Sequence, residues 1–439
     1  MQTQPTRTLP RLSTKTIMLM TFGNLGVSMA FSLQSSSMGR IFQTLGADPG
    51  KLGFFFILPP LIGMLVQPIV GAASDKTWWP KVGRRLPYLI LGASVAVLMM
   101  VLLPNSGSFG FGYGSLAALS FGAFAILFMD LSSNMAMQPF KMIIGDMVPD
   151  EQKNFAWSFQ TIWGNIGGIL ATLLPFLLTA FGVANVATKG ELPNSVIWAF
   201  YIGAAILIIS SLFTLTSVKE YTPAQYAQYH HVDTAAKKES FLDLLKSAPK
   251  VFWMLGVVQF FAWAAFQYLW TYGTGAVAEN VWHTTDPSSA GYQAAGNWFG
   301  ILSATQAVAS VVWGLLLSRT TIAQRHLAYA GGLFLGAIGF GSVFFIHTQM
   351  PLILSFTLIG IGWVTMNAIP FMFLTSALQG KSEGTYLGLF NTFICLPQIV
   401  ASIASFALFP ALGSTMPAML LVSGVLMALG ALSTTLVKN

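Results

Sequence analysis

The sequence predicts an all-α membrane protein with twelve transmembrane helices in two six-helix bundles, and three observations lead there. Hydrophobic residues make up 54% of the 439 and charged residues only 8%, against roughly a quarter charged in a soluble domain. Apolar runs near the length of about 20 residues that spans a bilayer recur along the whole chain. A polar, charge-dense stretch at 219–249 divides those runs into two equal sets.

The first run, 16–38, is too long for the apolar core of a signal peptide and lacks a small-residue cleavage site, so it counts as a helix. It is followed by runs at 52–73, 87–104, 113–140, 155–181 and 195–217, which complete a first half, 1–218. The linker 219–249 carries Lys219, Glu220, Lys237, Lys238, Glu239, Asp243 and Lys246 among Tyr, Gln and Ala residues. The second half, 250–439, holds runs at 250–274, 293–317, 326–346, 350–377, 385–410 and 414–436. A faint repeat relates the halves: Gly71 precedes Asp75 between spans 2 and 3, Gly314 precedes Ser318 at the same spacing between spans 8 and 9, and a basic loop follows each. Six-plus-six repetition of this kind is a feature of secondary transporters.

Basic residues orient the chain. With both termini in the cytoplasm, only Arg40, Lys51 and Lys189 of the 21 Lys and Arg fall outside, and Lys141 lies within a span. The rest, including Arg7, Lys81, Arg84, Arg85, Lys381 and Lys438, fall inside, as the positive-inside rule requires. The net charge of +7 therefore reports topology, and no nucleic-acid partner is expected. The lone Cys395 rules out disulfides and cysteine metal sites, and no phosphate-binding loop or ligand cluster appears. No metal, nucleotide or other cofactor is expected, and the single interior acid gives an enzyme of paired carboxylates nothing to work with.

That acid is Asp130, deep in the fourth span. A charge at membrane depth costs roughly 2.5–3.5 kcal/mol or more, so its default reading is function. Helical geometry puts Asp130, Asn134, Gln138 and Lys141 within an arc of about 80°, a polar stripe on an apolar helix. The bland alternatives are a structural acid satisfied by its neighbours and a lysine that snorkels to the interface.

A sugar site needs flat apolar faces for ring C–H groups and amides or charges for hydroxyls. Span 7 offers Gln259, Trp263, Gln267 and Trp270 along one face, and span 1 offers Asn24, Ser28, Phe31 and Ser35. The same indole stripe also suits core packing. Asn367, Asn391 and Gln398 are further candidates. At the cytoplasmic face, Asp75 beside Arg84 and Arg85 can latch helix ends together.

Several stretches carry a resemblance. The loop GAASDKTWWPKVGRR (Gly71 to Arg85) looks like the cytoplasmic loop motif of the major facilitator superfamily. Its flanks, LQSSSMGRIFQTLG (Leu33 to Gly46), PPLIGMLVQPIVGAASD (Pro59 to Asp75) and GRRLPYLI (Gly83 to Ile90), resemble the sucrose/proton symporters of plants and their animal and bacterial relatives. Asp130, Asn134, Pro139, Lys141 and Asp146 keep that group's register in the fourth helix, with Lys where the group usually has Arg and Gln138 where plant members have Gly. AIPFMFLTSAL (Ala368 to Leu378) and GLFNTFICLPQIV (Gly388 to Val400) match its tenth and eleventh helices.

The resemblance implies a major facilitator fold and a proton-coupled disaccharide symporter for sucrose or a maltose-type glucoside, working in a bacterial inner membrane, as a monomer. Asp130 would carry the proton, and Asp146 would join Asp75, Arg84 and Arg85 in gating. The sugar would meet Asn24, Phe31, Asn134, Gln138, Lys141, Gln259, Trp263, Gln267, Trp270, Asn367 and Asn391. A sodium-coupled symporter and a nontransporting sugar sensor are the alternatives.

Overall fold

The computed structural model describes residues 8–80, 82–229, 247–317, 319–321, 324–378 and 383–437. Residues 230–246 of the linker, Ser318 of the faint repeat and the bases Arg7, Lys81, Lys381 and Lys438 lie outside the described residues.

Twelve helices are long and apolar enough to span a membrane: α1 (Thr14–Thr44), α2 (Pro49–Lys76), α3 (Leu86–Asn105), α4 (Leu116–Met147), α5 (Asp150–Ala180), α6 (Asn194–Ser217), α7 (Lys250–Trp282), α8 (Ala290–Leu317), α9 (Arg325–Phe345), α10 (Leu352–Leu374), α11 (Gly388–Ala411) and α12 (Met416–Leu436). Ser13 and Ser115 cap α1 and α4 by accepting from the N–H groups of Thr16 and Ala118. Pro149, Pro193 and Pro249 stand extended just before α5, α6 and α7, where a fixed φ and a missing N–H suit a chain entering a helix. Large side chains such as Ile69, Leu315, Phe345 and Leu354 point outward, as on a surface solvated by lipid.

The packing is duplicated. In the first half α1 packs on α4, α5 and α6, α3 packs on α4 and α6, and α2 on α4. In the second half α7 packs on α10, α11 and α12, α9 on α10 and α12, and α8 on α10. Adding six to each number of the first set gives the second, so the repeat that is faint in sequence recurs in these neighbour relations. The halves meet through α5 with α8, α2 with α11, and α1 with α7.

These inter-bundle contacts tighten at the end away from the termini. Gln267 of α7 donates to the Phe56 carbonyl of α2 at 2.9 Å, and Asn297 of α8 donates to Thr179 of α5 at 2.8 Å. A side chain on Gly300 of α8 would sit 2.2 Å from the Thr172 carbonyl of α5, so only glycine permits this approach. At the other end the bundles part around a cavity of about 720 Å³ lined by Trp157, Ser158 and Asn165 of α5, Gly314 of α8, and Asn367 of α10.

Three helices run six or more residues further at their C-terminal ends than sequence reading gives. α1 reaches Thr44 rather than 38, α4 reaches Met147 rather than 140, and α7 reaches Trp282 rather than 274. The extension of α1 corrects the placement of Arg40, which is no loop base but a helical residue only 3% exposed. Its guanidinium donates to Gln293 at 2.7 Å, Asn297 at 3.0 Å and Asn185 at 2.8 Å. Gln293 donates onward to Thr44 at 3.2 Å, and Asn185 donates to the Gln293 carbonyl at 3.0 Å. Polar runs of this kind end an apolar span on a hydropathy scale, but the helix continues because the second bundle satisfies them.

Arg40→Leu should therefore loosen this closure, since it leaves three amide oxygens without their charged donor. Bonds to charged groups contribute about 1.5–3 kcal/mol each, so a Gln43→Cys reporter should be labelled at least about tenfold faster from that face. Unchanged labelling would remove Arg40 from the closure. Gln43 is suited to the purpose because it is 1% exposed and packs against Gly275 of α7.

Candidate functional site

Asp130 is 3% exposed on the face of α4 that turns toward α1 and α11. Gln34 of α1 donates to its Oδ1 at 3.2 Å, and Asn134, one helical turn on, donates to its Oδ2 at 2.9 Å. Gln67 of α2 donates to the Asn134 Oδ1 at 2.9 Å, so three helices share one polar chain. Among the described residues no cation pairs with Asp130. The Cys395 thiol of α11, in the other bundle, lies within electrostatic reach of it. A carboxyl held by neutral donors at the bundle interface can exchange a proton without breaking a salt bridge.

The stripe expected on α4 holds its register. Asp130, Asn134 and Gln138 are buried while Lys141 is exposed. Lys141 is surrounded by protein yet keeps an accessible side chain, the combination found in a concavity open at one end. It lies about 16 Å along the helix from Asp130, eleven residues at about 1.5 Å each.

A cavity of about 570 Å³ lies between the bundles. The first bundle lines it with Ser28, Phe31, Ser32, Ser35 and Ser36 of α1 and with Thr161 and Asn165 of α5. Opposite stand Trp270 of α7, Ser303 and Gln306 of α8, and Trp363 of α10. Trp363 packs edge-on against Trp270 at 5.9 Å and against Trp263 at 5.5 Å. Hydroxyls and amides on one wall and indoles on the other are the groups a sugar ring needs. Sequence reading named Ser28, Phe31, Ser35 and Trp270 but missed Asn165, Gln306 and Trp363. Sequence reading singled out neither α5 nor α8 and took only Asn367 from α10, and no spacing rule brings the three to one cavity.

The other candidates are engaged elsewhere in this conformation. Gln259 is fully buried and donates to the Met366 carbonyl of α10 at 3.1 Å. Gln267 is spent on Phe56 and on Ser402 of α11, at 2.9 and 2.8 Å. Trp263 lies behind Trp270 and Trp363, 7% exposed. Asn24 donates to the Gln160 carbonyl at 2.9 Å and so fixes α1 to α5. Asn367 lines the wider cavity and donates to the Trp363 carbonyl at 2.8 Å. Asn391 lies 3.7 Å from the Cys395 sulfur, and Gln398 donates to the Ile394 carbonyl at 2.9 Å. The alternation of amide and indole on α7 is thus divided here: the amides bind helices together and Trp270 faces the cavity.

At the terminal face, Arg85 bonds Asp75 at 2.7 Å and Asp146 at 2.9 Å, and Arg84 reaches Asp146 at 3.2 Å. Burial opposes the Arg85 charge, but Asp146 and Asp75 hold the guanidinium protonated beyond its ordinary range. Glu220 joins them from beyond α6. Its carboxylate accepts from the backbone N–H groups of Arg84, Arg85 and Leu86 at 2.7–3.0 Å, satisfying the open N-terminus of α3 and its dipole. Gly83, at φ 115°, makes room for it. Tyr226, on a short helix at Pro223–Tyr229, lies 4.0 Å from the Arg84 guanidinium. The cluster ties α2, α3, α4 and the segment after α6 into one rigid end. Glu220 escaped sequence reading because its partners are backbone groups 134–136 residues away.

Comparison with known proteins agrees with this architecture. The chain is 22% identical over 432 residues to the sucrose transport protein SUC4 of Arabidopsis thaliana, covering 87% of this chain and 81% of that protein. It is 23% identical over 442 residues to the sucrose transport protein SUT5 of Oryza sativa subsp. indica, covering 87% and 79%. Among solved structures, the nucleoside transporter NupG superposes with a TM-score of 0.65 at 16% identity, over 97% of this chain and 99% of that one. A bacterial homologue of the human lysosomal transporter Spinster, inward-facing and occupied, gives 0.68 at 13% identity, over 99% and 97%. The pattern of the Major Facilitator Superfamily matches residues 20–402. Twelve spans, a duplicated six-helix packing and that match together place this membrane transporter in the Major Facilitator Superfamily.

Proposed function

We propose that the protein is a proton-coupled importer of a disaccharide, sucrose or a maltose-type glucoside, working by alternating access. The observation that carries this reading is that α1 joins a buried carboxyl with no cation partner among the described residues to a cavity walled by serines and indoles, through Gln34 on the acid and Ser35 on the wall. The halves 1–218 and 250–439 are the moving bodies and 219–249 joins them. The distribution of basic residues supports both termini in the cytoplasm of a bacterial inner membrane.

The cycle follows from the geometry. With the bundles closed around Arg40 and parted at the terminal face, the sugar leaves toward the cytoplasm and Asp130 releases its proton to the same side. Reopening at the outer face gives both sites to the outside. Ser35 and Asn165 of the first bundle would bind sugar hydroxyls together with Gln306 of the second, while Trp270 and Trp363 would cover the C–H faces of the rings. A sugar bridging both walls favours closing, because only the closed interface offers both sets of contacts. Lys141, exposed on the α4 stripe, would attract sugar hydroxyls on the exit path. The relatives named above are sucrose transport proteins, which favours a disaccharide.

Uptake of labelled sucrose and maltose into proteoliposomes, under an imposed proton or sodium gradient, tests substrate and coupling ion together. Accumulation driven by sodium alone would overturn the proton assignment, and failure of both sugars under either gradient would overturn the substrate class. Asp130→Asn keeps the shape of the site but removes the exchangeable proton. It should abolish gradient-driven accumulation while sugar exchange persists.

Trp270→Ala and Trp363→Ala each remove a stacking surface, and sugar affinity should fall about tenfold or more. Trp253→Ala, at a residue 47% exposed near the start of α7, should leave it unchanged. Equal effects of all three, measured by equilibrium binding, would remove the cavity from the pathway. Glu220→Gln weakens the acceptor at the start of α3. Exchange should slow while binding affinity holds, and a matching loss of affinity would contradict a role in switching.

A further inference from the structure

The Asp130 cage contains one polar atom that this conformation does not use. Gln34 is 3% exposed and donates its amide N–H to Asp130 Oδ1, but its own Oε1 is buried with no hydrogen-bond partner among the described residues. A buried acceptor left open costs about 1–3 kcal/mol, so it calls for an explanation. Asn134 differs: its Nδ2 serves both the Asp130 carboxylate and the Asp130 carbonyl, and its Oδ1 accepts from Gln67. Of the two amides that donate to the acid, Gln34 is the one with an acceptor to spare.

A glutamine amide carries a donor and an acceptor on opposite sides of one terminal torsion. Turned as it stands, it suits a carboxylate, which only accepts. Turned by half a revolution, its oxygen faces a carboxylic acid, which has an O–H to donate. We propose that Gln34 reads the proton on Asp130 by this rotation and passes the result to α1. The proposal rests on the proton-coupling reading above.

The step balances simply. A proton from water adds to Asp130 Oδ1, the new O–H donates to Gln34 Oε1, and the Gln34 N–H to Oδ1 bond is given up. Release reverses each change. The groups that face Asp130 are Gln34 from α1, Asn134 on its own helix with Gln67 of α2 behind it, and Cys395 from α11. The Cys395 thiol is the titratable one among them.

The position of Gln34 on α1 gives the switch a reach. Phe31 and Ser35 of the same helix line the sugar cavity, and Arg40 closes the outer face six residues on, about 9 Å along the axis. One rigid helix therefore touches the proton site, the sugar cavity and the closure. Gln34 is a positioning residue, since it acts through Asp130 and α1 rather than on the sugar.

Gln34→Met keeps length and bulk while removing both donor and acceptor. In proteoliposomes it should retain sugar counterflow, which needs binding and reorientation but no net proton movement. Its proton-driven accumulation should fall about tenfold or more, the equivalent of one lost hydrogen bond to a charged group. In difference infrared spectra on acidification, the carboxylic C=O band that disappears in Asp130→Asn should shift in Gln34→Met, having lost its acceptor.

Wild-type accumulation with an unshifted band would overturn the proposal. If the methionine variant does not fold, wild-type protein labelled isotopically at glutamine serves instead. A glutamine amide band that changes on acidification, and not in Asp130→Asn, is expected, and its absence overturns the proposal. Normal accumulation by Asp130→Asn would instead sink the proton reading itself, so the two failures are distinguishable.

Discussion

Asp130 lies 3% exposed between α1 and α4, and its partners are amide hydrogens rather than a cation. Burying an acid this way is costly unless donors replace the lost water, and neutral donors do so without fixing the acid in its charged form. A salt bridge would have made a stronger and more permanent site, because removing either charge would strand the other. The amide cage leaves the carboxyl free to change state, and the helices supplying it move with the bundle. The serine wall is joined to this acid through α1, which places Gln34 on the carboxylate and Ser35 on the cavity.

The duplication of the packing makes the difference between the halves plain. α4 and α10 hold equivalent places, each against the first and third helices of its bundle. α4 carries the acid, whereas α10 contributes Trp363 to the cavity and offers Thr365 to the indole N–H of Trp313 at 3.1 Å. Helices in equivalent places thus carry different chemistry, a buried acid in one bundle and an aromatic cavity wall in the other.

Much of this was legible in the sequence. Twelve spans follow from hydropathy, and Asp130 stands out because membrane depth makes an unexplained charge expensive. The register Asp130, Asn134, Gln138 survives folding because a helix fixes it locally. What sequence reading missed is long-range. Arg40 reads as a loop base because nothing nearby compensates a charge, yet Gln293 and Asn297, more than 250 residues away, complete its shell. Gln259 and Gln267 read as sugar ligands because amides on an apolar helix look available, whereas backbone carbonyls of Met366 and Phe56 engage them here. Local periodicity gives the face a residue occupies but not what another helix brings to that face. Asn165, Gln306 and Trp363 went unnoticed for the same reason.

The closure around Arg40 is composed of a guanidinium and three amide oxygens, with no carboxylate among them. None of these groups changes protonation across the pH range a cell meets. The seal is therefore chemically deaf to acidity. Any response to acidity in the proposed cycle therefore has to enter elsewhere than at this seal. The helix α1 joins the two places, with Arg40 in the seal and Gln34 on the Asp130 carboxylate.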